Sequence, residues 1–292
     1  MKTYLECLPC FVRQSLDAAR LVTNEVAVQE EVLRQVLAEL GQIDMHWPPP
    51  KMGQKIHRLI RKTVGVKDPY RKVKERFNNA ALKIYSRMRK LIIESEVPLE
   101  TAIRLAIAGN IIDFGVNGNL RESDLEQTIT ECLNADFTEI QLEAFNRAAN
   151  DAEEILYIAD NAGEIVFDRL LIEQLPIEKV TVAVKGSPVI NDATKEDAVI
   201  AGLPQIVDVI DNGSDAPGVI LENCSQSFRD HFEKADLIVA KGQGNYETLS
   251  DIDKNIFFML KAKCPVIARH IGCATGTNLL FRKNPISITG KF

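Results

Sequence analysis

Two oxygen-bearing side chains follow a short apolar run in the second half of the chain. Asp160 and Asn161 come directly after residues 155–159, whose composition is typical of a buried strand. Carboxylate and amide oxygens are the ligands that Mg²⁺, Mn²⁺ and similar hard cations prefer. Asp160 equally suits the N-cap of a following helix, where Asp is strongly favoured, so the pair alone leaves both interpretations open.

Other chemically useful residues follow three further apolar runs. They are Lys185 and Asp192 after residues 180–184, Asp211 after residues 206–210, and Lys241, Gly242 and Gly244 after residues 237–240. Lysine ammonium groups and glycine backbone amides suit phosphate oxygens. Each type also has a plain structural interpretation: aspartate as a helix cap, lysine in solvent, glycine in a tight turn. Their recurrence at successive strand ends favours a binding site.

Short β-branched runs alternate with helical patterns from about residue 151 onward. The predicted strands are 155–159, 180–184, 206–210, 237–240 and 266–268, and the predicted helices are 164–174, 192–201, 227–234 and 246–261. This alternation predicts an α/β fold, a three-layer α/β/α core with a mainly parallel sheet. Ligands of such sheets bind beyond the carboxyl ends of the strands, where the residues above would meet.

Residues 1–150 have helical periodicity throughout. The predicted helices are 10–22, 28–40, 52–64, 70–95, 98–108, 123–134 and 137–149. We therefore predict two parts, an N-terminal all-α region over residues 1–150 and an α/β/α core over residues 151–292.

The whole-chain composition narrows the class of protein. The 292 residues carry a formal net charge of −6, which gives no reason to expect a nucleic acid or an anionic membrane as partner. No apolar stretch approaches the roughly 20 residues of a membrane span, and the first residues lack the apolar core of a signal peptide. Six cysteines are too few for a disulfide framework in a chain of this length, so we expect a reduced, cytoplasmic protein. The sequence does not indicate an oligomeric state.

Cys7 and Cys10 form the one Cys-x-x-Cys pair in the sequence. Two thiols at this spacing are half of a zinc site or a redox pair. A structural zinc site needs two more ligands, and the sequence has no second pair of this kind. Packing within the helical region and a redox or metal role both stay open.

Several well-known catalytic motifs are absent from the sequence. It contains no phosphate-binding G-x-x-x-x-G-K-[ST] loop and no H-E-x-x-H or G-x-S-x-G motif. Gly242-x-Gly244 lacks the third glycine of a dinucleotide fingerprint.

Five short motifs, in order, resemble the DUF89 family, also called ARMT1-like damage-control phosphatases. They are Cys7-x-x-Cys10 with the following Phe11 and Arg13-Gln14, Gly109-Asn110-x-x-Asp113, Asp160-Asn161-Ala162-Gly163-Glu164, Asn191-Asp192, and Lys241-Gly242-x-Gly244-Asn245-Tyr246-Glu247. The first motif is similar to that of the prokaryotic subgroup. Each motif is weak alone, but five with sensible spacing are specific.

The resemblance implies a helical N-terminal region packed on a Rossmann-like core. It implies hydrolysis of small phosphorylated metabolites, such as damaged sugar phosphates, with Mn²⁺, Co²⁺, Ni²⁺ or Mg²⁺. By position, the family's metal ligands correspond to Asp160, Asn161 and Asp192, and its substrate loop to Asn110 and Asp113. Its phosphate-facing lysine corresponds to Lys241, in a motif that also holds Asn245. The eukaryotic Arg-Thr-x-Lys motif is missing, and Lys263 is the residue that stands in for its lysine.

The resulting hypothesis is a metal-dependent phosphatase in which a metal-activated water attacks phosphorus. Lys241 and Lys185 would neutralise the phosphate oxygens, and Gly242 and Gly244 would let backbone amides approach. The alternatives are a non-hydrolytic metabolite- or nucleotide-binding protein and a carboxyl methyltransferase. The lack of a glycine-rich turn after the first strand weighs against the methyltransferase.

Overall fold

The described residues form one sheet of six strands. The computed structural model describes residues 1–111, 127, 129–131, 133–134 and 139–282. The strands are β1 (Ile155–Ile158), β2 (Val180–Val184), β3 (Asp208–Asp211), β4 (Leu237–Lys241), β5 (Ile256–Lys261) and β6 (Asn278–Arg282). They lie in the order β3-β2-β1-β4-β5-β6, with only β6 antiparallel to its neighbour. The predicted mainly parallel α/β sheet is confirmed.

Helices precede the sheet and connect its strands. Before the sheet lie α1 (Cys7–Val22), α2 (Val26–Leu40), α3 (Pro49–Val64), α4 (Arg71–Ile93), α5 (Pro98–Ile111) and α6 (Glu139–Asp151). Between the strands lie α7 (Glu164–Ile172), α8 (Lys195–Ile200), α9 (Gln226–Lys234), α10 (Gly242–Leu249) and α11 (Pro265–Ile271). The predicted helix over 123–134 falls mostly outside the described residues. None of the described helices combines the length and apolar content that crossing a membrane requires.

Two predictions near the end of the chain were wrong. The pattern predicts one helix over 246–261, but α10 ends at Leu249 and β5 occupies Ile256–Lys261. The run predicted as a strand, 266–268, lies within α11. Periodicity does not distinguish a short, fully buried strand from a buried helix segment. Helix signals were present around α11, with Pro265 in its first turn and Gly272 closing it at φ +86°.

The strand order places a crevice beside β1. The chain runs from β1 outward through β2 to β3, and then returns to add β4 on the other side of β1. At such a reversal the connections after the two central strands diverge onto opposite faces of the sheet. The carboxyl ends of β1 and β4 therefore flank the place where ligands bind in open α/β sheets.

The helical region shares a hydrophobic core with the sheet. On one face, Phe77 of α4, Ile103 of α5 and Phe145 of α6 belong to the same buried cluster as Tyr157 of β1 and Phe167 of α7. Helices α1 to α3 form a separate cluster among themselves. The first cluster crosses residue 150, so α4 to α6 are a layer on the sheet. The division at that residue into two parts stays a prediction.

A buried polar network joins α4 to the segments that follow β1 and β2. The Asn78 amide donates to Asp197 Oδ1 at 2.8 Å, and its oxygen accepts the N–H of Gly163 at 2.7 Å. Lys74, one turn earlier on α4, lies 3.1 Å from Asp197 Oδ2. The three side chains are buried. Gly163 has φ +78° and its Cα lies so close to Phe77 that a Cβ would come within 2.9 Å of it. Helix α4 is therefore held tightly against the start of α7.

We expect Asn78→Ala to lower the free energy of unfolding by about 2–4 kcal/mol. The substitution leaves the N–H of Gly163 and one oxygen of Asp197 buried without this partner, and unsatisfied buried polar groups are expensive. Urea unfolding measures the change. The matched control is Asn79→Ala, an exposed asparagine on the same turn, which we expect to shift stability by no more than about 0.5 kcal/mol. Equal effects of the two substitutions would contradict this role of Asn78.

Candidate active site

A backbone clasp brings the segment after β1 against the segment after β2. The N–H of Ala193 donates to the carbonyl of Asp160 at 2.8 Å, and Asn161 forms an isolated antiparallel bridge with Asp192. These main-chain bonds fix the two segments side by side without depending on the side chains. The structure therefore brings together Asp160, Asn161 and Asp192, the three residues predicted as metal ligands.

The side chains of this group concentrate negative charge. The Asn161 amide nitrogen donates to Asp160 Oδ2 at 2.7 Å and to Glu164 Oε2 at 3.0 Å, so only its oxygen is left to serve as a ligand. Burial raises the pKa of Asp160 well above its usual range, and the nearby carboxylates of Glu164 and Asp192 raise it further. Burial also raises the pKa of Asp192 to about 6, against the opposing effect of Lys185.

One carboxylate oxygen of this group lacks a hydrogen bond. Asp192 Oδ2 is buried and has no hydrogen-bond partner among the described residues, with Lys185 Nζ the cation nearby at 3.4 Å. A buried carboxylate oxygen is unfavourable unless a cation approaches it, and the Lys185 ammonium supplies positive charge here. No set of three or more His, Cys, Asp or Glu side chains in the described ranges is arranged to hold a metal ion, and the donor set here is two carboxylates and one amide.

Lys241, for which the sequence predicted a contact with phosphate, is buried among protein groups. Its side chain is 0% exposed, and its ammonium donates to Glu164 Oε1 at 2.7 Å, to the Ala106 carbonyl at 3.0 Å and to Asp168. Burial opposes the charge, but the two carboxylates outweigh burial and hold the pKa of Lys241 above its ordinary value. Because all three N–H donors are used within the protein, Lys241 holds together the elements beneath the site, and its contact with a phosphate stays a prediction.

Lys185 is also buried rather than facing a substrate. Its ammonium donates to the Gly218 carbonyl at 2.9 Å and lies 3.4 Å from Asp192 Oδ2. It therefore neutralises and orients Asp192. The ammonium thus lies between two protein acceptors, and its contact with a phosphate oxygen stays a prediction.

The residues that open α10 pack against Asp160. Gly242 has φ +78°, and a Cβ there would come within 1.8 Å of Asp160 Oδ2, so only glycine fits. Gly244 lines the cavity beside the site. Asn245 is fully buried and donates to the carbonyls of Lys241 at 2.7 Å and Ala159 at 3.3 Å. Asn245 thus secures the turn from β4 into α10, and its position differs from the predicted substrate contact.

A cavity of about 340 Å³ opens above the carboxylate group. Asp160, Asn161 and Asp192 form one wall, and Lys263 lies on another. The ammonium of Lys263 is exposed, and its charge lowers the pKa of Asp160. Lys263 is therefore the predicted lysine that the structure places in the cavity.

The Cys-x-x-Cys pair lines the same cavity from α1. Cys7 is half-buried and Cys10 is exposed, and Cys264, before α11, is a third thiol on the cavity wall. Burial raises the pKa of both Cys7 and Cys10, and the nearby Cys264 raises both further. The sequence spacing did not reveal this third thiol. Whether the pair packs or has a redox or metal role stays a prediction.

Two predicted substrate residues are not described. Asp113 and the side chain of Asn110 lie outside the described residues.

The sequence analysis missed two partners of Lys241. Glu164 and Asp168 lie four residues apart in the mostly apolar helix α7, so both face the same side. Two carboxylates at this spacing among the apolar residues of the helix were the signal that a buried cation pairs with them.

The sheet and its cavity define an α/β protein with a small-molecule site at the switch point of the strands. Residues 3–279 match the family described as the damage-control phosphatase ARMT1-like domain, and the chain belongs to that family. This confirms the predicted family and the phosphatase class of enzyme. Divalent-metal dependence is general in the family.

The chain is similar over nearly its full length to archaeal proteins. It is 38% identical to an uncharacterized protein of Methanocaldococcus jannaschii, covering 95% of this chain and 94% of that one. It is 36% identical to a damage-control phosphatase of Pyrococcus horikoshii, covering 97% and 98% of the two chains. A similar protein of Archaeoglobus fulgidus with the same name is 35% identical, covering 94% and 97%.

A solved structure has the same fold. The crystal structure of a DUF89 family protein from Pyrococcus horikoshii superposes with a TM-score of 0.89 at 34% identity. The match covers 97% of this chain and all of that one, 100%. The helical region and the sheet are therefore both shared with that protein.

We expect Lys241→Met to lower the free energy of unfolding by about 3–5 kcal/mol, since it leaves Glu164 and Asp168 buried without their cation. The pKa of Asp168 is raised by burial to about 7 even with Lys241 present. The loss of unfolding free energy in Lys241→Met is therefore largest above that pH. It is smaller in acid, where the Asp168 carboxyl is neutral. Denaturant unfolding at several pH values measures it.

The control for this substitution is Lys261→Met, which removes a half-buried lysine from the end of the neighbouring strand β5. We expect Lys261→Met to change the free energy of unfolding by no more than about 1 kcal/mol. A stable, well-folded Lys241→Met protein that has lost only affinity for phosphate would show instead that Lys241 contacts the substrate.

Proposed function

We propose that this chain hydrolyses small phosphate monoesters with a divalent cation held by Asp160, Asn161 and Asp192. The observation that carries the proposal is the pair of buried carboxylates, Asp160 and Asp192, whose backbones are hydrogen-bonded side by side at the switch point. The names of the Pyrococcus and Archaeoglobus relatives support phosphorylated metabolites as the substrates.

The donor set fits a divalent cation. Two carboxylates and an amide oxygen are hard ligands, which suits Mn²⁺, Co²⁺, Ni²⁺ or Mg²⁺. Glu164 supports the set from behind, because its two oxygens bridge the Asn161 amide and the Lys241 ammonium. When bound, the cation supplies Lewis-acid stabilisation of the phosphoryl group and lowers the pKa of water. The backbone hydrogen bonds between the two segments position these three residues in the absence of a cation.

Lys263 is the residue we assign to the phosphate. It lies on the cavity wall with an exposed ammonium, and it is close enough to Asp160 to influence the pKa of that carboxyl. A phosphate dianion near Asp160 needs a positive partner, since Lys185 and Lys241 are already buried in ion pairs. Gly244, on the cavity wall, has no side chain to obstruct the approach of the phosphate to α10.

Turnover of p-nitrophenyl phosphate tests the proposed function. We expect hydrolysis after addition of Mn²⁺, Co²⁺, Ni²⁺ or Mg²⁺, and we expect EDTA to stop it. Absence of hydrolysis with every ion and with a panel of sugar, nucleotide and cofactor phosphates would favour a metabolite-binding protein instead.

Asp160→Asn should lower kcat/KM for p-nitrophenyl phosphate by about 100-fold or more, because the site loses one of its two carboxylate ligands. The thermal stabilisation that Mn²⁺ gives the wild type should also disappear. Asp211→Asn is the matched control, an aspartate at the end of β3, two strands away in the same sheet, that pairs with Lys195 at 2.6 Å. Wild-type activity and metal response in Asp160→Asn would place the cation elsewhere.

Lys263→Met should leave the melting temperature unchanged and lower kcat/KM for the same ester by about 10- to 100-fold. The side chain is exposed, so its removal leaves no buried charge unpaired. Lys263→Arg, which keeps the charge, should recover part of the activity. An active Lys263→Met enzyme with unchanged KM and kcat would remove Lys263 from the site.

A further inference from the structure

Helix α10 contributes a second carboxylate wall to the cavity. Gln243, Gly244 and Glu247 all line it, and their spacing of three and four residues places them on one face of the helix. Gly242, which opens the helix, lies against Asp160. The same helix therefore runs from the carboxylate group at its start to Glu247 one turn further on.

The distance between these two points suits a phosphate ester. Glu247 is five residues beyond Gly242, and a helical rise of roughly 1.5 Å per residue separates them by about 7.5 Å along the axis. Asp160 and Glu247 both line the cavity of about 340 Å³, which leaves room for a phosphoryl group beside Asp160. Its ester oxygen can face Glu247 while the attacking water approaches from the side of Asp160, as an in-line displacement requires.

The surroundings of Glu247 favour its protonated form near neutral pH. Its side chain is 8% exposed, and it accepts one hydrogen bond from Gln243 Nε2 at 3.0 Å. Burial raises the pKa of Glu247 to about 7, although the Gln243 bond and the amino group of Met1 both oppose the rise. From α1, the thiols of Cys7 and Cys10 face it, and both are influenced by its charge.

The charged groups near Glu247 have other partners. The amino group of Met1 donates to the Glu247 backbone carbonyl at 2.9 Å and lies 3.0 Å from Asp251 Oδ2. Lys263 shares the cavity, and its charge acts on Asp160. A buried carboxyl that lines the substrate cavity and receives one amide hydrogen bond is arranged to hold and release a proton.

We propose that Glu247 is the general acid that protonates the leaving-group oxygen. The inference rests on the proposed phosphatase function of the same cavity. As the bond from water oxygen to phosphorus forms, the bond from phosphorus to the ester oxygen breaks, and its electron pair stays on that oxygen. The Glu247 proton moves to the oxygen, so the product leaves as an alcohol. The attacking water releases a proton that restores the acid, and its other proton stays on the phosphate.

The leaving group separates this role from a structural one. A nitrophenolate leaves readily as an anion, whereas an alkoxide needs a proton to leave. Glu247→Gln keeps the size of the side chain and an oxygen that accepts from Gln243, but it has no acidic proton. We therefore expect kcat/KM of Glu247→Gln to fall by about 100-fold for 2-glycerophosphate and by less than about threefold for p-nitrophenyl phosphate.

The pH profile gives a second readout that does not depend on the variant. In the wild type, kcat/KM for 2-glycerophosphate should fall as pH rises above about 7, the pKa of Glu247, because the acid loses its proton. This fall in kcat/KM should be absent with p-nitrophenyl phosphate. Because both esters are measured with the same enzyme and metal, titration of the cation site affects both profiles equally and does not explain a difference between them. Identical profiles for the two esters would overturn the proposal, even if Glu247→Gln failed to fold.

Glu222→Gln is the matched control, since Glu222 is exposed, does not belong to the cavity lining and pairs with Lys51 at 3.2 Å. It should hydrolyse both esters at wild-type rates. Equal losses on both esters in Glu247→Gln, or no loss on either, would overturn the role of Glu247 while leaving the phosphatase function intact. A wild type that hydrolyses neither ester with any ion would instead overturn the proposed function.

Discussion

The buried ammonium of Lys241 is the interaction on which the site depends. It joins the end of β4 to Glu164 and Asp168 on α7 and to the Ala106 carbonyl on α5. A charge taken out of water in this way is tolerated only because its donors are all satisfied and its charge is paired. The cluster therefore fixes the relative positions of one strand and two helices directly beneath the cavity.

Glu164 carries this constraint to the candidate ligands. One of its oxygens accepts from Lys241 at 2.7 Å, and the other accepts from Asn161 at 3.0 Å. The amide is thereby oriented with its nitrogen toward carboxylates and its oxygen available for a cation. Such supporting contacts are typical of metal sites, where partners behind the ligands set their orientation. On the other side of Lys241, Gly242 lets the same strand end approach Asp160.

The sequence predicted which residues meet at the edge of the sheet better than it predicted the surroundings of the lysines. Asp160 and Asp192 were found because strand ends meet at one edge of a parallel sheet, which follows from topology alone. The acceptors of Lys241 lie 77 and 135 residues away along the chain for Glu164 and Ala106, and no local pattern contains that contact. The burial of Lys241 is therefore set by tertiary packing and cannot be predicted from the residues beside it.

The same limit explains the other differences. The run that forms β5 is fully apolar until its last residue, so its periodicity is compatible with helix or strand, and pairing with β4 and β6 decides. Glu247 belongs to a motif that was recognised, but its burial and its place on the cavity wall depend on α1 and α10 meeting in space. Three buried lysines each pair with a buried aspartate: Lys185 with the candidate ligand Asp192, Lys74 with Asp197, and Lys241 with Asp168. Positive charge is thus buried around the site, where it holds the acids in position, and Lys263 is an exposed lysine on the cavity wall.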